Sequence, residues 1–207
     1  PKEIEGLANT YLVQPVKIEI APQGSLPGLV EQELIVVSRE GKSDMLQDIL
    51  YEHKESVLVF SRTRHGARKL AKGIRDAGHS AAELHSDRTL AQRKEALHGF
   101  KSGAYRVLVA TDIAARGIDV KEIGMVLNYD VPEHAEDYVH RIGRTGRAGH
   151  HGRAVTLVSP DQSHEIRDIE KLLESEIPLS PRSPLPFVRV VRTAPRPAGG
   201  GSSRRRR

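Results

Sequence analysis

Four basic side chains fall within the ten residues HRIGRTGRAG: His140, Arg141, Arg144 and Arg147, separated by glycines at 143, 146 and 149. Arginine stays charged and presents a planar fork of five donors, a better match to phosphate oxygens than the point charge of lysine. Arg144 and Arg147 would leave the end of a helix on a backbone loosened by Gly143 and Gly146, so that two forks could converge on one anion. An arginine near a helix C-terminus also favours the helix dipole with no further purpose. That explanation leaves three glycines unaccounted for, because each costs helix stability and adds no packing. Phosphate binding is the chemistry this spacing favours.

A second cluster, ATDIAARGIDV, packs Thr111, Asp112, Arg116, Gly117 and Asp119 into one short stretch. Thr111 and Asp112 could cap a turn, and Asp119 could be an ordinary turn carboxylate. Equally, the Thr111 hydroxyl and backbone amides near Gly117 could hold a nucleic-acid phosphate, and Asp119 could accept from ribose hydroxyls. On the residues alone the two readings are even. Gly41, Lys42 and Ser43 spell the end of a P-loop, yet the glycine required five residues earlier is Val36. Ser43 reads instead as a helix N-cap. No Asp-Glu-x-Asp box is present to hold magnesium, and His79, His85, His150 and His151 lack zinc-site spacing, so no metal site is expected. The chain lacks the parts that bind most of a nucleotide and carries residues suited to touch its far end.

These residues fall after short apolar runs that read as strands: Glu31 to Val37, Val57 to Ser61, Ala81 to His85, Arg106 to Thr111, Met125 to Asp130 and Ala154 to Ser159. Helical spacing covers Ser43 to His53, Thr63 to Ala77, Thr89 to Phe100, His134 to Ile142 and Asp161 to Glu174. Consecutive apolar positions, as in VLVF and RVLVA, suit strands covered on both faces. The alternation predicts an α/β fold, a parallel β-sheet with helices on both faces. In such a sheet ligands bind beyond the carboxyl ends of the strands, and the two clusters lie there.

Composition narrows the remaining classes. The 207 residues contain no cysteine, which excludes disulfides, Cys-based zinc sites and a thiol nucleophile. No apolar run approaches the roughly 20 residues of a membrane-spanning helix, and the opening lacks the order of a secretory signal, so the expected address is cytoplasmic. Of the net charge of +5, residues 177–207 contribute eight arginines and no acid. That stretch also holds six of the twelve prolines and ends in GGGSSRRRR, so a disordered, flexible basic tail is expected there. It could serve as a solvated terminus or attract phosphate.

HRIGRTGRAG and ATDIAARGIDV resemble the sixth and fifth motifs of DEAD-box RNA helicases of bacterial type, and VLVFSRT at 57–63 resembles their fourth. The likeness extends over residues 30–176 and implies the second of that family's two RecA-like domains. The opening resembles the end of the first, which implies a piece of a longer protein with roughly 200 further residues upstream. The implied organisation is 1–28 as the end of the first domain plus linker, 29–176 as the helicase C-terminal domain and 177–207 as the tail.

The implied activity is ATP-dependent local separation of short RNA duplexes, with this part inactive alone. ATP with magnesium would be bound mainly by the absent first domain. Arg144 and Arg147 would face the γ-phosphate, one as an arginine finger, and Asp119 would hold the ribose. Thr111, Arg116 and Gly117 would lie by the RNA backbone, with Arg62 and Arg93. His140 and Arg141 would serve interdomain coupling, Arg141 through interdomain or acidic contacts. Two positions depart from the pattern: the His-Gly-Asp turn reads His85, Ser86, Asp87, and a glutamine is replaced by Leu90, which cannot make its hydrogen bonds. The alternative is a stand-alone RNA-binding module without nucleotide chemistry.

Overall fold

The apolar runs pair into one parallel sheet whose carboxyl edge carries both clusters. A computed structural model describes residues 6, 8, 10–12, 30–116, 118, 120, 123–146 and 151–189. The strands are β1 (Val30–Val36), β2 (Val57–Phe60), β3 (Ala81–Leu84), β4 (Val107–Ala110), β5 (Met125–Asn128) and β6 (Gly152–Val158). Their order is β1-β6-β5-β2-β4-β3, parallel throughout. Between and after them run α1 (Lys42–Glu52), α2 (Arg64–Asp76), α3 (Leu90–Lys101), α4 (Asp112–Ala115), α5 (Ala135–Ile142) and α6 (Ser163–Leu173). The four residues of α4 are too few to show a helical period and were not anticipated.

Strand alternation divides the core between two layers. Val57, Val59, Val107 and Val109 pack with Leu46, Ile49 and Ile74 of α1 and α2. Leu58, Phe60, Leu108 and Ala110 face the other way, onto Phe100 of α3 and Ala114 of α4. On that side of β1 and β6, Leu34, Val36 and Val158 meet Tyr138 and Ile142 of α5 and Ile166 of α6. Each Val, Leu, Ile or Phe among them contributes about 1.5–3 kcal/mol when fully buried, so the apolar runs fix the sheet.

Local signals set several helix ends. Thr63 caps α2 by accepting from Gly66 N–H at 3.0 Å. Thr89 and Gln92 form a reciprocal capping box that starts α3. The expectation that Ser43 caps α1 is corrected: the helix starts at Lys42, with Gly41 before it. Lys42 turns inward, and its buried ammonium donates to the Tyr129 and Leu157 carbonyls, both at 2.9 Å. Burial lowers its pKa, opposed by the charge of Asp130.

The flexible tail expected from residue 177 is corrected as far as Arg189. Leu34 N–H donates to Pro178 O, Ser180 N–H to Leu34 O, both at 2.8 Å, and Val36 N–H to Ser183 Oγ at 3.1 Å. Ile177 is buried, and Leu185 and Phe187 pack on the cluster around Leu34. Arg182 grips Glu52 through two hydrogen bonds, and Arg189 reaches Glu170 and the Ile177 carbonyl. The cause is the edge of β1, whose backbone groups would otherwise lack partners, and proline tolerates such an edge position. Residues 190–207 lie outside the described residues. At the other end, Leu12 N–H donates to Ala8 O and Thr10 Oγ1 to Gly6 O, both at 2.9 Å, while residues 13–29 lie outside.

Candidate functional site

The site is built around Arg141. This residue stands in the last turn of α5, a helix with Glu136 and Asp137 in its first turn, an arrangement that complements the dipole at both ends. Its guanidinium turns inward and is 2% exposed. Nε and Nη2 donate to the two oxygens of Asp112 at 2.6 and 2.8 Å, and Nη1 donates to Asn128 Oδ1 at 3.2 Å and Asp130 O at 2.7 Å. The guanidinium carbon lies 5.0 Å from the centre of the Phe60 ring. Of the interdomain or acidic contacts expected of Arg141, the structure shows the acidic one, made within its own domain. Asp112, in turn, is the partner of this arginine.

A second anchor joins the ends of β2 and β5. Asp130 Oδ2 accepts from Ser61 Oγ at 3.2 Å and from the backbone N–H of Arg62 at 2.9 Å. The Arg62 guanidinium donates to Val131 O at 3.2 Å and lies 3.9 Å from Glu133. Neither Asp130 nor Asn128 was singled out from the sequence, although a polar residue ending the apolar run MVLN is the available signal.

The turn after α5 is held tightly, which corrects the picture of a backbone loosened by glycine. Arg144 Nη1 donates to Ile118 O at 3.0 Å. Thr145, 1% exposed, donates its hydroxyl to Ile123 O, and its backbone forms an isolated parallel bridge with Ile123. Gly146 has φ +67°, a conformation costly for other residues. A Cβ on Gly152 would stand 2.3 Å from Gly146 N, so that glycine permits β6 to pass against the turn. The arginine turn and the segment after α4 thus form one unit. Arg147, Gly117 and Asp119 lie outside the described residues.

Asp112, Arg116, Asp137, His140, Arg141 and Arg144 line a cleft at this edge. Arg116 Nη2 is 3.5 Å from Asp137 Oδ1, and His140 Nδ1 is 3.9 Å from the same oxygen. Thr111 precedes α4 but its hydroxyl makes no capping hydrogen bond, so the capping explanation is not met.

Farther along the edge, His85 is fully buried and its Nδ1 accepts from Asp87 N–H at 3.3 Å. Burial lowers the His85 pKa, against the opposing charge of Glu83, with which Arg88 pairs. Asp87 pairs with Arg64 at 2.7 Å and Arg68 at 3.3 Å. Leu90 is exposed at the first position of α3, while Gln92 is engaged in the capping box. Arg93 is half-buried in the first turn of α3 and does not line the cleft around Arg144.

A six-stranded parallel sheet with an arginine-glycine turn fixed at its carboxyl edge defines the RecA-like C-terminal domain of helicases. The helicase conserved C-terminal domain family matches residues 41–149, and the chain belongs to that family. It is 39% identical over 178 residues to ATP-dependent RNA helicase DbpA of Bacillus subtilis, covering 86% of this chain and 37% of the relative. With RNA helicase CrhR of Synechocystis sp. the identity is 42% over 179 residues, covering 86% and 36%. The chain thus spans little more than a third of either relative.

Solved structures agree with the fold and with the DEAD-box resemblance. The E. coli DEAD-box protein SrmB bound to regulator of ribonuclease activity A matches with a TM-score of 0.72 and 32% identity, over 77% of this chain and 97% of that one. S. cerevisiae Dbp5 bound to RNA and ADP BeF3 matches with a TM-score of 0.80 and 26% identity, over 88% and 49%.

Proposed function

We propose that this chain is the C-terminal RecA-like half of a DEAD-box RNA helicase and acts with an upstream RecA-like domain in RNA-stimulated ATP hydrolysis and local duplex separation. The observation that carries the reading is the placement of Arg144 in the cleft at the carboxyl edge, on a turn tied to Ile118 and Ile123. A guanidinium held in this way is pre-positioned, and electrostatic catalysis depends on such positioning. The donor set fits the far end of a nucleotide, while the α- and β-phosphates and magnesium fall to the upstream domain. When bound, ATP supplies the γ-phosphoryl group whose hydrolysis drives the cycle.

In this reading Arg144 and Arg147 face the γ-phosphate, Asp119 and Gly117 lie by the nucleotide, and His140 couples the two domains. Thr111, Arg116, Gly117, Arg62 and Arg93 hold the RNA backbone without reading its sequence. Among the described residues no helix is long and apolar enough to cross a membrane. The proposed setting is the cytoplasm.

The test is Arg147→Ala in the two-domain protein. ATP turnover should fall by about 10³-fold or more, as removal of an arginine finger does elsewhere, with RNA affinity nearly intact. This chain alone should hydrolyse almost no ATP, and adding the upstream domain should restore RNA-stimulated turnover. Equal loss of hydrolysis and RNA binding would favour the RNA-binding module without nucleotide chemistry.

A further inference from the structure

Asp137 has been given no part in binding, yet one of its oxygens faces two of the residues given to different tasks. Arg116 approaches Oδ1 from the end of α4, and His140 approaches it from one turn along α5. The two basic side chains are 70% and 72% exposed and can swing, whereas Asp137 is 20% exposed. The other cleft carboxylate, Asp112, has both oxygens engaged by Arg141. Among the described residues, Asp137 is therefore the cleft acid that can answer Arg116.

We infer that Asp137 is a positioning residue that competes with an RNA phosphate for Arg116 and, when RNA draws Arg116 away, keeps its oxygen for His140. The inference rests on the reading of Arg116 as an RNA contact. The competition is a linkage: RNA must displace the Arg116–Asp137 pair, so the pair weakens RNA binding by as much as it stabilises the free protein. Exposed ion pairs are weak, which limits the effect to about fivefold. Its sign is diagnostic, because damage to the fold would weaken RNA binding, whereas loss of a competitor strengthens it.

The experiment measures binding of a labelled single-stranded RNA oligonucleotide to the two-domain protein at one fixed salt concentration, since charge contacts vary steeply with salt. Asp137→Asn should bind about two- to fivefold tighter. Glu136→Gln removes the same charge one residue away, on an exposed side chain, and should leave affinity unchanged. Arg116→Ala should weaken binding, and in that background Asp137→Asn should give no gain. An equal gain from Glu136→Gln, or none from Asp137→Asn while Arg116→Ala weakens binding, would overturn the inference and leave the RNA role of Arg116 standing. No effect of Arg116→Ala would remove that role and the inference with it. Should Asp137→Asn melt early, Asp137→Ser, which keeps a first-turn oxygen, carries the same expectation.

Discussion

Asp112 holds Arg141 through both carboxylate oxygens beneath a cleft whose Arg116 and His140 point outward. The same guanidinium also reaches Asn128 at the end of β5 and the Asp130 carbonyl just beyond it, so one side chain joins α4, α5 and the end of the sheet. The turn proposed to face the nucleotide begins directly after α5, and its geometry depends on that junction.

Arg141→Ala should therefore be among the most damaging single changes in the domain. It leaves Asp112 and the Asn128 amide oxygen without their donor, and breaking a buried pair from one side costs about 3–5 kcal/mol. Arg141→Lys should not rescue it, because an ammonium cannot form the two parallel hydrogen bonds. Urea unfolding midpoints check both variants. A loss under about 1 kcal/mol for Arg141→Ala, within the range of exposed pairs, would show that water replaces the network.

The layered sheet was legible in advance because its cause is local. VLVF and VLVA are apolar at each position, and those positions are buried. Arg141 was not, because four basic residues in one stretch look alike until their distant partners are known, and Asp112 and Asn128 come from other elements. The glycines misled for a similar reason: the need at Gly152 comes from its approach to Gly146, a contact between β6 and the arginine turn. The segment after Glu176 was read as a tail because Ile177, Leu185 and Phe187, interrupted by prolines, have no period. The capping box at Thr89 and Gln92 was visible as Thr-x-x-Gln and went unread.

Acid should destabilise the domain through histidines that are folded in their neutral form. His53 Nε2 accepts from Arg153 Nη1 at 2.9 Å, and His79 Nδ1 accepts from Arg106 Nη2 at 2.8 Å, since arginine can only donate. Burial first, and then these arginine charges, lower both pKa values, and burial lowers that of His85. A folded pKa below the unfolded value of about 6.5 means that the unfolded chain binds more protons in that range. The contribution is complete above about pH 6.5 and is lost as the pH falls towards the folded values. Urea midpoints should hold steady from pH 8 to 7 and decline from 7 to 5. Replacing His53 and His79 together with glutamine should flatten that decline, and an unchanged slope would assign it to other groups.

Two C-terminal deletions should separate packing from charge. Removing residues 177–207 strips Ile177, Leu185 and Phe187 from the core cluster and bares the edge of β1, so the melting temperature should fall and self-association should rise, visible by size-exclusion chromatography. Removing only 190–207 spares those contacts and should leave the melting temperature unchanged. It nevertheless removes six of the eight arginines in the basic stretch, because Arg182 and Arg189 lie before the cut and are paired with Glu52 and Glu170. At about 0.7 per phosphate neutralised on a single strand, six arginines set an upper bound of about 4 on the lost slope of log K against log salt for RNA binding. A slope unchanged by the shorter deletion would mean that these arginines do not contact RNA. Equal stability after both deletions would mean that the contacts made by residues 177–189 add nothing to the fold, and the edge of β1 would then need another explanation for its solubility.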